Sequence, residues 1–223
     1  MSQVGLSSGN VFKYSRLGLA TEPRVYFASH DGMRSCISRE SSESRETSPG
    51  GVLSCAVGLS ATCLQFSPFI SDIFLVGQLD GGCRLHRLSY PTPLRSWPMI
   101  ESNASKGTSG LMSMAKVSDL AWSSQRPSVF FLLHDNGDLH IFDLNDESNM
   151  PAHSFALTQH LDVRGDNFQP KLAISSGSAL ASKLLTVSLG GSVFTRTLSE
   201  TVTKPKESEL AILQRKLRVM TQL

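Results

Sequence analysis

An all-β fold is what this 223-residue sequence predicts: part of a β-propeller, with an α-helix at the C-terminal end. Three observations carry that reading. The segment 66–88, FSPFISDIFLVGQLDGGCRLHRL, recurs as the segment 122–144, WSSQRPSVFFLLHDNGDLHIFDL. Around a small-residue turn, each copy holds short apolar runs with the period-two alternation of strands. Helical spacing of leucines stands out near the C-terminus.

The recurrence is a register. A constant offset of 56 places Phe66 on Trp122, Phe74 on Phe130, Gly81 on Gly137 and Leu85 on Ile141. A further offset of 54 carries Gly137 to Gly191 and Leu139 to Val193, in LLTVSLGGSVFTRTL. Fixed offsets imply tandem supersecondary units that bury their faces against one another.

The chain opens inside such a unit. An offset of 72 sets Val4 and Gly5 on Val76 and Gly77, Gly9 on Gly81, Val11 on Cys83 and Tyr14 on His86. Arg24 to His30 then supplies an outer strand. In the next unit the aromatic-ended strand Thr62 to Phe66 leads through a Ser/Pro turn to Ile73 to Gly77. A tight turn follows at Asp80, Gly81 and Gly82, where glycine accepts positive φ at little cost. Cys83 and Leu85 alternate with Arg84 and His86, and Leu94 to Met99 is the fourth strand. The third unit runs Val117 to Trp122, then Val129 to Leu133, with its turn at Asp135, Asn136 and Gly137. Leu139 and Ile141 alternate there with His140 and Phe142, before His153 to Leu157. The last unit has Leu184 to Ser188, a turn at Gly190 and Gly191, and a strand alternating Val193 and Thr195 with Phe194 and Arg196. It has no evident fourth strand.

Four short antiparallel strands per unit, repeated, define propeller blades. Residues 1–200 amount to about three and a half blades, where a closed ring takes about four to eight. The expectation is the C-terminal part of a longer protein, or an incomplete gene model, with strand edges and apolar sheet faces exposed at both ends of the array. Residues 38–51, SRESSESRETSPGG, are Ser/Glu-rich, bury nothing, and read as a disordered inter-blade loop. Residues 101–110 form a second polar loop. Residues 201–223 are a linker and an amphipathic helix, with Leu210, Leu213, Leu217 and Met220 in one stripe and Ser208 placed to cap its start. Docking of that stripe on the sheets is expected; a short coil with a partner is the alternative.

Composition excludes several function classes. Lys and Arg number 21 against 19 Asp and Glu, so neither nucleic-acid binding nor a polybasic anchor is expected. No run approaches the roughly 18 apolar residues of a membrane span, so no membrane insertion is expected. The first residues, MSQVGLSSGNVFKYSR, lack a secretory signal pattern. Cys36, Cys55, Cys63 and Cys83 have no C-x-x-C spacing and read as reduced thiols. Gly5-Leu6-Ser7-Ser8-Gly9 matches G-x-S-x-G, but a nucleophile elbow needs a helix next, and Asn10 to Arg16 alternates like a strand. His134 and His140 flank a turn without a third metal ligand. Arg164-Gly165-Asp166 and the sequon Asn103-Ala104-Ser105 would matter only in a secreted chain. Neither a cofactor nor a metal is expected, and the chain reads as no enzyme.

Where WD repeats carry a turn acid and then a strand-closing Trp-Asp pair, this chain has Asp80 with His86-Arg87, Asn136 with Phe142-Asp143, and Gly190 with Arg196-Thr197. The units look like degenerate WD40-type repeats. The wording resembles the propeller of dynein intermediate chains, of the cytoplasmic dynein-2 branch above all. The likeness covers most of residues 1–200. It is carried by Phe66-Ser67-Pro68, Arg84-Leu85-His86 and Ala121-Trp122-Ser123 with Arg126-Pro127.

The resemblance implies a non-catalytic scaffold whose propeller binds the dynein heavy chain beside other dynein-2 subunits. It implies retrograde intraflagellar transport and cilium assembly, in the cytoplasm and cytoskeleton and at the cilium and basal body. The light-chain-binding region of that family has no counterpart in this chain, so light-chain binding is not carried over. Asp80, Gly81, Asn136, Gly137, Gly190 and Gly191 are expected as structural turn residues. Arg87, Arg95 and Arg126, at strand ends or loops, are the candidate partner contacts, with solvated surface charge as the plainer reading of each. The alternatives are a WD-repeat scaffold of another cytosolic complex and an axonemal dynein intermediate chain.

Overall fold

Each repeat unit becomes one antiparallel sheet. A computed structural model describes residues 2–5, 11–14, 24–26, 60–98, 115–157, 169–175, 184–189 and 192–221. The first sheet holds β1 (Ser2–Gly5), β2 (Val11–Tyr14) and β3 (Arg24–Tyr26), and the second β4 (Ala61–Phe66), β5 (Ile73–Gln78), β6 (Cys83–Arg87) and β7 (Arg95–Trp97). The third holds β8 (Val117–Trp122), β9 (Val129–His134), β10 (Asp138–Asp143) and β11 (His153–Ala156). The fourth holds β12 (Lys171–Ile174), β13 (Leu184–Leu189) and β14 (Ser192–Thr197), and α1 (Glu200–Thr203) and α2 (Glu209–Met220) follow. Every strand pairs antiparallel with its neighbours in sequence order. The result is a mostly β chain of three- and four-stranded sheets, consistent with a partial propeller. The expected loop at 38–51, the polar loop at 101–110, Cys36, Cys55, Gly190 and Gly191 lie outside the described residues.

The offset of 56 holds bond by bond. Gly81 N–H donates to Gln78 O as Gly137 N–H donates to His134 O, and Leu88 N–H donates to Asp72 O as Leu144 N–H donates to Ser128 O. Asp80 Oδ1 accepts from Gly82 N–H at 2.9 Å, and Asn136 Oδ1 accepts from Asp138 N–H at 2.9 Å. The ladders slip at matching places, between Ala61 and Cys63 and between Val117 and Asp119. Gly81 has φ 80° and Gly137 φ 84°, the left-handed conformation that glycine adopts without strain.

Period-two alternation stacks the sheets. Both β5 and β9 are buried along their whole length. Ile73 and Leu75 join Phe130 and Leu132 in a core between the second and third sheets. The other faces of these strands look outward from that seam: Phe74 and Val76 pack with Tyr26, and Phe131 and Leu133 with Leu185 and Val187. Aromatic rings repeat the arrangement. Phe74 stacks on His86 at 5.3 Å while Tyr26 meets Phe74 edge-on at 5.2 Å; Phe130 stacks on Phe142 at 5.0 Å while Trp97 meets Phe130 edge-on at 5.1 Å. The first strands of successive sheets touch in order, β1 to β4, β4 to β8 and β8 to β12.

Three expectations change. Leu210 is 38% exposed, so the buried face of α2 is Glu209, Leu213 and Leu217, spaced i, i+4, i+8. Ser208 makes no side-chain cap; it sits at φ 60°, and the Glu209 carboxylate accepts the Lys206 backbone N–H instead. The outer face of the fourth sheet is mixed. Ladder partners share a face, and Lys171, Ser188 and Thr195 stand there with Ala173 and Val193, all exposed.

Candidate functional site

The organised polar cluster lies where α2 meets the seam between the second and third sheets. Arg126, in the turn between β8 and β9, is 3% exposed. Its position is fixed by Ser123 Oγ, which accepts the Arg126 backbone N–H at 3.1 Å. The guanidinium donates to Glu209 Oε1 (2.8 Å from Nη2), Asp143 Oδ2 (2.7 Å) and Thr201 O (2.7 Å). The Ser128 hydroxyl donates to Asp143 Oδ1 at 2.6 Å and also contacts Glu209 Oε1. Burial works to raise the Glu209 carboxyl, but hydrogen bonds from Arg126 and Ser128 outweigh it and hold Glu209 below the usual range. Asp143 is likewise lowered: burial opposes, and Ser128, the Asn145 N–H and Arg126 prevail. Both carboxylates are therefore ionised around a single guanidinium.

Apolar contact completes the attachment. Leu213 is 1% and Leu217 3% exposed, in one core with Trp97, Phe142 and Leu144. Burying each leucine contributes about 1.5–3 kcal/mol. Two charges taken out of water return little net energy, because desolvation offsets their attraction. The leucines hold the helix; the ions set its register.

The three arginines expected at a partner surface are placed differently. Arg126 is turned inward, and that expectation is corrected by its burial and its bonds within the chain. Arg95 clasps the second sheet to the third, donating to Asp146 O and Ser148 O, each at 2.7 Å, with its guanidinium over the Trp97 ring. Arg87 is half-buried, its Nε 2.7 Å from Asp72 Oδ2. The burial of Arg126 was beyond any local signal, because Glu209 lies 83 residues away. Asp80, Gly81, Asn136 and Gly137 stand in the hairpin turns.

Buried imidazoles form a second group. His134 and His140 meet edge-on at 5.1 Å, and His140 Nδ1 is 2.8 Å from Ser154 Oγ. Burial pushes His86 down to about 3 and His140 to about 4. Among the described residues no three His, Cys, Asp or Glu side chains are grouped to hold a metal, and no helix is long and apolar enough to cross a membrane. The G-x-S-x-G run joins β1 to β2, with Gly5 opposite Val11, so a strand follows it where a nucleophile elbow needs a helix. A cleft of about 380 Å³ beside the cluster is lined by Asp143, Asp146, His153, Thr201 and Lys206.

Such a molecule belongs to the repeat-built β-sheet proteins, and its organised side chains join its own parts to one another. Its curated homologues are dynein intermediate chains. The chain is 40% identical over 81 residues, 36% of its length, to cytoplasmic dynein 2 intermediate chain 1 of Homo sapiens. It is 33% identical over 86 residues, 39% of its length, to the Mus musculus protein of that name. Over 133 residues, 60% of its length, it is 29% identical to the cytoplasmic dynein 1 intermediate chain of Drosophila melanogaster. The matches span 7%, 8% and 17% of those relatives. No protein-family model matches the chain.

Proposed function

We propose that this chain is a WD-type propeller portion, about three and a half blades, of a dynein intermediate chain. In this reading it serves as a non-catalytic scaffold that binds the dynein heavy chain in retrograde intraflagellar transport and cilium assembly. The observation that carries the reading is the 40% identity over 81 residues to cytoplasmic dynein 2 intermediate chain 1. The bond-by-bond repeat and the sequential contacts of β1, β4, β8 and β12 support the propeller part. The G-x-S-x-G run bridging paired strands supports the absence of a catalytic step.

The proposed contact is the rim where β6 ends and β7 begins. Arg87 and Arg95 flank that connection and keep partial exposure. Arg126 has no part in it. The longer match to a dynein 1 intermediate chain favours a second reading, a subunit of cytoplasmic dynein 1.

One experiment separates them. The tagged chain, expressed in ciliated cells, is purified and its partners are probed for both cytoplasmic dynein heavy chains. Recovery of the dynein-2 heavy chain with slowed retrograde transport on depletion is expected. Recovery of the dynein-1 heavy chain alone selects the second reading, and recovery of neither overturns both.

A further inference from the structure

The surface beneath α2 is a built helix-binding site, and α2 is its resident ligand. On the receiving side are Arg126, Ser128, Trp97, Phe142 and Leu144; on the ligand side are an acid, a leucine at +4 and a leucine at +8. Two features of the connecting segment make the occupant detachable. Residues 204–208 are all exposed, and Ser208 is held at φ 60°, a conformation that a non-glycine residue adopts under strain. Beyond that hinge, α2 is fastened by its buried face, and by Lys216 Nζ on Asn145 O.

We propose that α2 exchanges between copies: the helix swings out at 204–208, and the vacated seam takes the α2 of a second copy. A second copy offers the same acid–leucine–leucine face by construction, so the exchanged contact equals the one it replaces. Strained, exposed hinges favour such swapping. Release of α2 uncovers Phe142 and Leu144, and a second helix is what re-covers them. The proposal stands apart from the assignment to dynein.

A fluorescent peptide of residues 207–223 tests it against the whole chain. Wild-type chain should bind the peptide weakly, because the resident helix competes. Chain carrying Leu213→Ala and Leu217→Ala should bind it about tenfold more tightly or better, since the competing occupant is weakened. Should that variant fail to fold, peptide-borne changes read the same site on wild-type chain: Glu209→Gln and Leu213→Asp in the peptide should each abolish capture. Light scattering of wild-type chain should show a dimer that grows with concentration and is suppressed by excess peptide. Three results overturn the proposal: equal binding to wild type and variant, no binding to either, or equal capture of an unrelated helix with the same acid–leucine–leucine spacing. The last would make the seam a receptor for helices in general.

Discussion

The Nε2 atom of His134, at the end of β9, lies 3.0 Å from the carbonyl oxygen of Gly81 in the turn between β5 and β6. The ring is buried, so it bridges the sheets as a neutral imidazole donating Nε2–H. Burial lowers its affinity for a proton, and the hydrogen bond to Gly81 opposes that only in part. Gln78 holds the corresponding place one unit earlier, 56 residues back.

The buried imidazoles set an acid limb of stability. His86, His134 and His140 all bind protons less readily in the fold than in the unfolded chain, whose histidines titrate near 6.5. Stability is therefore full above that value and is lost as pH falls toward the folded values of about 3 for His86 and about 4 for His140. His86 alone should cost about 2 kcal/mol at pH 5. Its counterpart is Phe142, and among the described residues its Nδ1 has no hydrogen-bond partner. His86→Phe should flatten the decline between pH 7 and 5, read from urea midpoints.

Gly77 is closed to any side chain. A Cβ there would stand 2.5 Å from Val117 Cγ1 and 2.6 Å from Cys63 Sγ. Gly77→Ala should destabilise by about 1–3 kcal/mol through overpacking. Adding Val117→Ala should recover part of the loss, a coupling that a double-mutant cycle measures.

Gly137 serves the turn through its backbone. At φ 84°, valine is strained where asparagine is tolerated. Gly137→Val should lower stability by about 1–3 kcal/mol and Gly137→Asn by clearly less. Equal thermal shifts for the two variants would contradict the repeat register.

The ion cluster should behave as one unit. Arg126→Met leaves Glu209 and Asp143 facing each other in a buried site and should cost about 3–5 kcal/mol. Removing the acid as well, in Arg126→Met with Glu209→Gln, should cost less than the sum of the two single changes. Calorimetric Tm values of the four proteins give the coupling directly.

Much of this architecture was legible in the sequence because strands and turns are local. An offset of 56 places Asn136 on Asp80, and the structure gives both the same turn bond. The first strand of the fourth sheet went unread, although the offset of 54, applied to Val117, lands on Lys171, where β12 begins. The roles of the arginines were not legible. Arg126 reads as a loop cation until Glu209, 83 residues away, is folded against it. The leucine stripe failed by one residue for the same reason, since the surface that meets α2 selects Glu209 over Leu210. Spacing along a helix names a face; only the receiving surface chooses its edge.

Tandem units that share one register carry a hazard, because a hairpin half from one can mispair with the complementary half of the other. Charge placement at a single pair of matching positions screens against it. In the second sheet the acid is Asp72 and the base Arg87; in the third, the same places hold Ser128 and the acid Asp143. Were β10 to zip onto β5, Asp143 would confront Asp72. Were β6 to zip onto β9, Arg87 would meet a hydroxyl beside Arg126, cation against cation. Each wrong zipper sets like charges together, which costs pairing energy that the right ones keep. Charge at this one pair of matching positions thus sets the native hairpins apart from the crossed ones.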